Sequence, residues 1–136
     1  MDARHLQCVV VTPERTVLDE PADFVAVPLY DGELGVLPGR AALIGRLGSG
    51  ELRLRSGEAV QRFYVEGGFT QVRDDVVTVL TSRAMKAEDI DPAKVQADMS
   101  AAQEPAATPE ARTKQQDTVA KGRVQLRVAA KAPKRF

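Results

Sequence analysis

Few residues in this chain could do chemistry, and their spacing excludes most of it. One cysteine, Cys8, and one histidine, His5, are present. Together they exclude a disulfide framework, a cysteine zinc cage, a histidine metal cluster and any mechanism needing two imidazoles. Cys8 opens the apolar run Cys8-Val9-Val10-Val11, with no base in the same strand, so a buried structural thiol is expected rather than a nucleophile. His5 is expected at a surface or strand edge. The acids Glu88, Asp89 and Asp91 precede a helix start, where carboxylates meet free backbone N–H groups, and that role accounts for them without a metal. Gly45-Arg46-Leu47-Gly48-Ser49-Gly50 lacks the Lys-Ser/Thr ending of a phosphate loop, and no Gly-x-Ser-x-Gly elbow occurs. No nucleophile, base and orienting group come together. An enzyme acting alone is not expected, nor is a resident metal or cofactor.

The elements that would position any site divide the 136 residues in two. Apolar residues are 43% and charged residues 28% of the chain, ordinary for a soluble globular protein. No apolar run approaches the ~18 residues of a membrane span, and the first five residues carry no cationic leader before an apolar stretch, so a soluble, cytosolic-type protein is expected. The formal net charge is zero, yet residues 1–110 carry −7 and residues 111–136 carry +7. Such a split suits a body carrying an interaction arm. Nine of ten glycines, and five of six Phe and Tyr residues, lie before residue 87. The expected domains are therefore 1–86 and 87–136.

The first domain has the residue pattern of an antiparallel β-sandwich. Short apolar and β-branched runs are separated by turn signals at Asp19-Glu20-Pro21, Asp31-Gly32, Pro38-Gly39, Gly48-Ser49-Gly50, Ser56-Gly57, Gly67-Gly68 and Asp74-Asp75, the spacing of a sandwich or barrel. Strands are expected over residues 5–12, 16–18, 23–29, 34–37, 42–47, 51–56, 60–66, 69–73 and 76–82. Leu52 and Leu54 should face the core while Arg53 and Arg55 face water. Residues 24–27 and 76–80 are apolar on both faces and suggest strands covered on each side. Connections of hairpin length argue against parallel pairing.

The second domain has the pattern of a helical hairpin, so the fold class is mainly β with an α appendage. Asp91 and Pro92 form a start signal, with Val95, Met99 and Ala102 on one stripe. Residues 104–109 break the helix, and a second runs from about Pro109 to Ala130 with Ala120, Val124 and Val128 on a stripe. Gly122 interrupts it, at about 1 kcal/mol relative to alanine.

One run stands out: Asp31-Gly32-Glu33-Leu34-Gly35-Val36-Leu37-Pro38-Gly39-Arg40-Ala41-Ala42-Leu43. It resembles the Gly-Glu-Leu-Gly-x-x-Pro-Gly-His-Ala-Pro-Leu signature of the epsilon subunit of F-type ATP synthases (delta in mitochondria). Val65-Glu66-Gly67-Gly68-Phe69, then Val76-Val77-Thr78-Val79-Leu80 and Ala84, is similar to a second block of that family. Gln125-Leu126-Arg127-Val128 is similar to a third. Arg40 and Ala42 stand where the family usually has histidine and proline, and Gln71 where glutamate is common.

The resemblance implies a non-catalytic part of the rotating central stalk, coupling proton-driven rotation of the c-ring to ATP synthesis. The sandwich would pack on the gamma subunit and the c-ring, with Gly32, Glu33, Leu34, Gly35, Pro38, Gly39 and Arg40 as contact residues. The hairpin would fold on the sandwich or extend along gamma and restrain ATP hydrolysis. Lys114, Lys121, Arg123 and Arg127 would then meet an acidic segment of the catalytic beta subunits. Some bacterial members bind ATP through Ile-Asp-x-x-Arg-Ala, which implies Ile90, Asp91 and Lys94 here, with lysine in place of the planar arginine fork. Location would be peripheral, on the cytoplasmic face of a bacterial plasma membrane or on a plastid thylakoid membrane. The alternative is a free-standing sandwich whose basic tail grips nucleic acid with steep salt dependence. Against it, Phe136 is the only aromatic in that tail, leaving little for bases to stack on.

Overall fold

A computed structural model describes residues 5–102 and 108–131 of the chain. Eight strands come first: β1 (Leu6–Val11), β2 (Thr16–Ala22), β3 (Phe24–Leu29), β4 (Gly32–Val36), β5 (Leu43–Ser56), β6 (Ala59–Arg73), β7 (Val76–Leu80) and β8 (Ala84–Lys86). A single 3-10 turn, Ala87–Asp89, leads to helices α1 (Pro92–Ala101) and α2 (Pro109–Ala130).

The strands form one continuous hydrogen-bonded sheet, ordered β2-β1-β7-β6-β5-β3-β4, with β8 also on β6. Two long strands fold that sheet into two layers. The first half of β5 pairs with the second half of β6, from Leu43↔Val72 to Leu47↔Gly68, beside β7, β1 and β2. The second half of β5 pairs with the first half of β6 and with β3, and β8 lies along Phe63–Val65. The glycines at residues 48, 50, 67 and 68 are thus bend points inside strands rather than turns between them. Gly68 has φ +109°, and a β-carbon there would lie 1.9 Å from the Leu80 carbonyl oxygen. Only glycine allows β6 and β7 to approach so closely at this corner.

Three further differences from the sequence reading have physical causes. Asp19-Glu20-Pro21 lies inside β2, pairing Cys8↔Glu20 and Gln7↔Pro21. Proline is tolerated there because β2 is an edge strand. β1 and β7 pair in parallel, Gln7↔Val76 through Val11↔Leu80. Short connections preclude parallel pairing only between consecutive strands, and here the whole intervening sheet serves as the crossover. Finally, β7 is covered on one face only, since Val76 and Leu80 are exposed while Val77 and Val79 are buried.

Between the layers lies the main core, including Leu6, Cys8, Val25, Leu52, Leu54, Phe63 and Val79. Leu52 and Leu54 face it as expected. Cys8 is fully buried, and burial pushes its thiol up to about 12. A second, smaller core forms where the hairpin packs on the outer face of the second layer, joining Tyr64, Ala87 and Ile90 to Val95, Met99 and Val128.

Asp91 caps α1, its carboxylate accepting from the Ala93 and Lys94 N–H groups at 3.0 and 3.4 Å. Thr108 caps α2 through Ala111 N–H at 3.1 Å. The stripe of α2 that is buried differs from the one expected. Gly122, Gln125 and Val128 face inward, while Ala120 is exposed. Gly122 marks the close approach of α1: a β-carbon there would sit 2.5 Å from Met99 Cγ and 2.6 Å from its Sδ.

Candidate functional site

The two outer faces of the sandwich differ in what covers them. The second layer carries the hairpin. Among the described residues nothing covers the first layer across β5, β6, β7 and β1, where register places Ile44, Phe69, Val76 and Leu80 on one side, with Val9 and Val11 beside them on β1. Ile44 is 76% exposed and Phe69 56%. The charged residues on that face are at its margins: Arg46, opposite Phe69, Arg73, opposite Val76, and Asp19, opposite Val9. An apolar patch of this kind on a sheet face marks a surface that another chain covers.

The glycine-proline run occupies an edge of the second layer. Four of its seven predicted residues, Gly32, Glu33, Leu34 and Gly35, lie along β4, and the other three, Pro38, Gly39 and Arg40, follow beyond the strand end. Glu33 is exposed and paired with Arg53 at 3.1 Å. Leu34 is half-buried, Val36 is buried, and Gly35 lies under the Phe24 ring. Beyond the strand, Arg40 N–H donates to the Leu37 carbonyl, and Gly39 N–H donates to the Asp75 carboxylate at 2.7 Å. That bond ties the Pro38–Arg40 corner to the β6–β7 turn. Leu37 and Arg40 point outward.

The four basic residues predicted on α2 do not form one set. Lys114, Arg123 and Arg127 are exposed, and Arg123 and Arg127, four apart, share a helix face. Lys121 turns toward the sandwich instead, with its Nζ 3.1 Å from Asp117 and 3.8 Å from Glu66. The Asp117 bond holds its ammonium above the ordinary lysine range. Lys134, Arg135 and Phe136, at the end of the basic tail, lie outside the described residues.

Ile90 is buried beneath the hairpin, Asp91 is committed as the α1 cap, and Lys94 is exposed. A cleft of about 290 Å³ opens between hairpin and sandwich, lined in part by Glu66, Arg83, Asp98, Met99 and Lys121. Ile90, Asp91 and Lys94 do not line it. Among the described residues no group of three or more His, Cys, Asp or Glu could hold a metal ion. His5 sits at the start of β1, 3.6 Å from Asp23 and largely exposed.

Two further acids, Glu66 and Glu51, hold α2 to the sheet. Glu66 accepts from the Tyr64 hydroxyl at 2.8 Å and lies near Lys121 and Arg83. Burial, and then the Glu66 hydrogen bond, push the Tyr64 phenol well above its ordinary range. Glu51, its side chain only 12% exposed, accepts from Arg62 at 2.5 Å and meets Lys131 at 3.2 Å. Burial alone would raise the Glu51 carboxyl, but the Arg62 and Lys131 bonds outweigh it and hold it below the usual range. A signal was available in Phe63-Tyr64-Val65, which is apolar on both faces and so needs cover on both.

A family profile described as "ATP synthase, Delta/Epsilon chain, beta-sandwich domain" matches residues 5–87. The chain is 50% identical to the ATP synthase epsilon chain of Rhodopirellula baltica over 125 residues, covering 91% of this chain and 98% of that one. It is 44% identical to the ATP synthase epsilon chain of Pelotomaculum thermopropionicum over 88 residues, covering 65% of this chain and 66% of that one. In structure it is similar to a chain of the Euglena gracilis mitochondrial ATP synthase, with TM-score 0.69 and 23% identity, covering 96% of this chain and 82% of that one. A chain of the Tetrahymena thermophila mitochondrial ATP synthase central stalk and c-ring aligns with TM-score 0.62 and 15% identity, covering 95% and 99%. These two likenesses bear on the fold alone.

Proposed function

The chain belongs to the family of ATP synthase epsilon chains, and we propose that it serves as a non-catalytic wedge in the central stalk, passing rotation of a proton-driven c-ring to the catalytic head. The observation that carries this reading is the bare apolar face of the first layer. Ile44, Phe69 and Leu80 would be costly to leave in water at about 25 cal/mol per Å² of apolar area, and the chain's own helices cover the opposite face. The gamma subunit is the proposed occupant.

The glycine-proline corner, pinned to the β6–β7 turn by Gly39 and Asp75, gives a stiff end that could bear on the c-ring. Stiffness matters because a part that transmits torque loses work through any joint that yields. The outward arginines of α2, Arg123 and Arg127, and the exposed Lys114 are the proposed contacts to acidic segments of the beta subunits. Through them the hairpin would restrain ATP hydrolysis. Lys121 would join that set only after leaving Asp117 and Glu66. Nucleotide on Ile90, Asp91 and Lys94 is proposed as a regulatory ligand, held by lysine charge rather than by an arginine fork.

No described helix is long and apolar enough to cross a membrane, and the proposed location is peripheral, through the complex, on the cytoplasmic face of a bacterial plasma membrane. The deciding experiment is affinity capture of the full chain from native membranes, with mass spectrometry of its partners. Gamma, beta and c subunits together are expected. Capture without gamma would overturn the reading. Removing residues 88–136 should raise ATP hydrolysis by the assembled complex, and an unchanged rate would remove the restraining role.

A further inference from the structure

We propose that Glu33 on the edge strand is coupled to the last turn of α2 by a chain of ion pairs centred on Glu51. The chain lies on the outer face of the second layer. Glu33 Oε1 meets Arg53 Nη2 at 3.1 Å, and Arg53 Nη1 lies 3.6 Å from Glu51 Oε1. Arg62 holds that same oxygen at 2.5 Å, and Lys131 Nζ holds the other Glu51 oxygen at 3.2 Å. Register explains the alignment. Pro28 faces Glu33, Ala26 faces both Gly35 and Arg53, and Arg53 faces Arg62, so all the side chains share one surface. Lys131 is the C-cap of α2. An edge strand and a helix end that make no direct pair are therefore joined through two shared side chains.

Charge sets the sign of the coupling. The five residues carry two negative and three positive charges, so Arg53, Arg62 and Lys131 repel one another and share two acids. Neutralising Glu33 frees the Arg53 guanidinium to turn wholly toward Glu51. There it competes with Lys131, whose strongly hydrated ammonium on a flexible stem is the more easily displaced partner. The end of α2 then loosens. Removing the Arg53 charge does the reverse, since Glu51 is left to Arg62 and Lys131 alone. A cationic group of another chain that engages Glu33 would act like its neutralisation. The coupling belongs to this chain by itself, so its failure would leave the central-stalk reading standing.

The test is amide hydrogen exchange in residues 126–131 of the full chain, at low ionic strength so that screening does not hide the pairs. Glu33→Gln should speed exchange there about twofold, while Arg53→Gln should slow it. In a Lys131→Gln background, adding Glu33→Gln should change nothing further. Equal exchange in Glu33→Gln and the unaltered protein would overturn the coupling, as would the same acceleration in the Lys131→Gln background. Opposite signs guard against a trivial result: general loosening of the sheet would speed exchange in both Glu33→Gln and Arg53→Gln, and that outcome also overturns it.

Discussion

Met99 of α1 fills the space that a β-carbon at position 122 of α2 would occupy, with its Cγ 2.5 Å from that point. Helix propensity favours alanine over glycine by about 1 kcal/mol, but forced overpacking costs about 1–3 kcal/mol. Gly122→Ala should therefore destabilise the hairpin by about 1 kcal/mol net, measured as a lower urea midpoint by circular dichroism at 222 nm. Adding Met99→Ala should abolish the alanine penalty, so the two substitutions will be non-additive. Simple additivity would mean that the two residues do not meet.

Gly68→Ala should be far more severe. Its β-carbon would run into the Leu80 carbonyl, which is backbone and cannot swing aside. The positive φ adds strain for any L side chain. A loss of about 3 kcal/mol or more in urea unfolding is expected, while Gly57→Ala, with open space around its β-carbon and φ +60°, should cost only about 1 kcal/mol.

Acid should destabilise the sandwich partly through Asp23. Its carboxylate accepts the Gly57 N–H at 2.6 Å. That bond foremost, with help from His5 and Arg55, holds its carboxyl below the usual range. A lowered value in the folded state means stability that is present above the unfolded value and lost as pH falls through the folded one. Asp23→Asn should flatten the urea midpoint between about pH 3 and pH 5, around the usual aspartate range. An unchanged slope over that range would show that the carboxylate contributes nothing.

Charge placed on the bare apolar face should spare the fold and destroy assembly. Ile44→Asp or Phe69→Asp removes an exposed side chain, so stability should shift by about 0.5 kcal/mol or less. Affinity for the gamma subunit, measured by biolayer interferometry, should fall at least about tenfold, as for a central interface residue. Unaltered affinity would place the gamma contact elsewhere.

Much of this architecture was legible because local chemistry decides it. The Asp91-Pro92 start, the second helix from about Pro109, the inward Leu52 and Leu54, and the buried Cys8 follow from caps, alternation and polarity. The bends of β5 and β6 were not legible in the same way. Gly48, Gly50, Gly67 and Gly68 signal positive φ or close approach, and both turns and mid-strand bends use them. Parallel pairing of β1 with β7 joins residues about 70 positions apart, and no local pattern encodes such a partner. Gly122 looked like a flaw in a helix because its value lies in the neighbouring helix, through Met99. Glu51 and Glu66 gave no signal as isolated acids in strands, and their role emerges only once α2 lies over them.

The parallel seam between β1 and β7 also dictates an order of events during synthesis. The β5–β6 ribbon is a single long hairpin and can close soon after it leaves the ribosome. β1, made first, can bond to β2 early but must wait for Val76–Leu80 before its other edge is filled. Closing so long a loop is the slow step expected of a chain rich in distant contacts. Until then the nascent protein carries an unfilled strand edge beside Cys8, Val9 and Val10, the stretch most exposed to mispairing with a neighbouring copy.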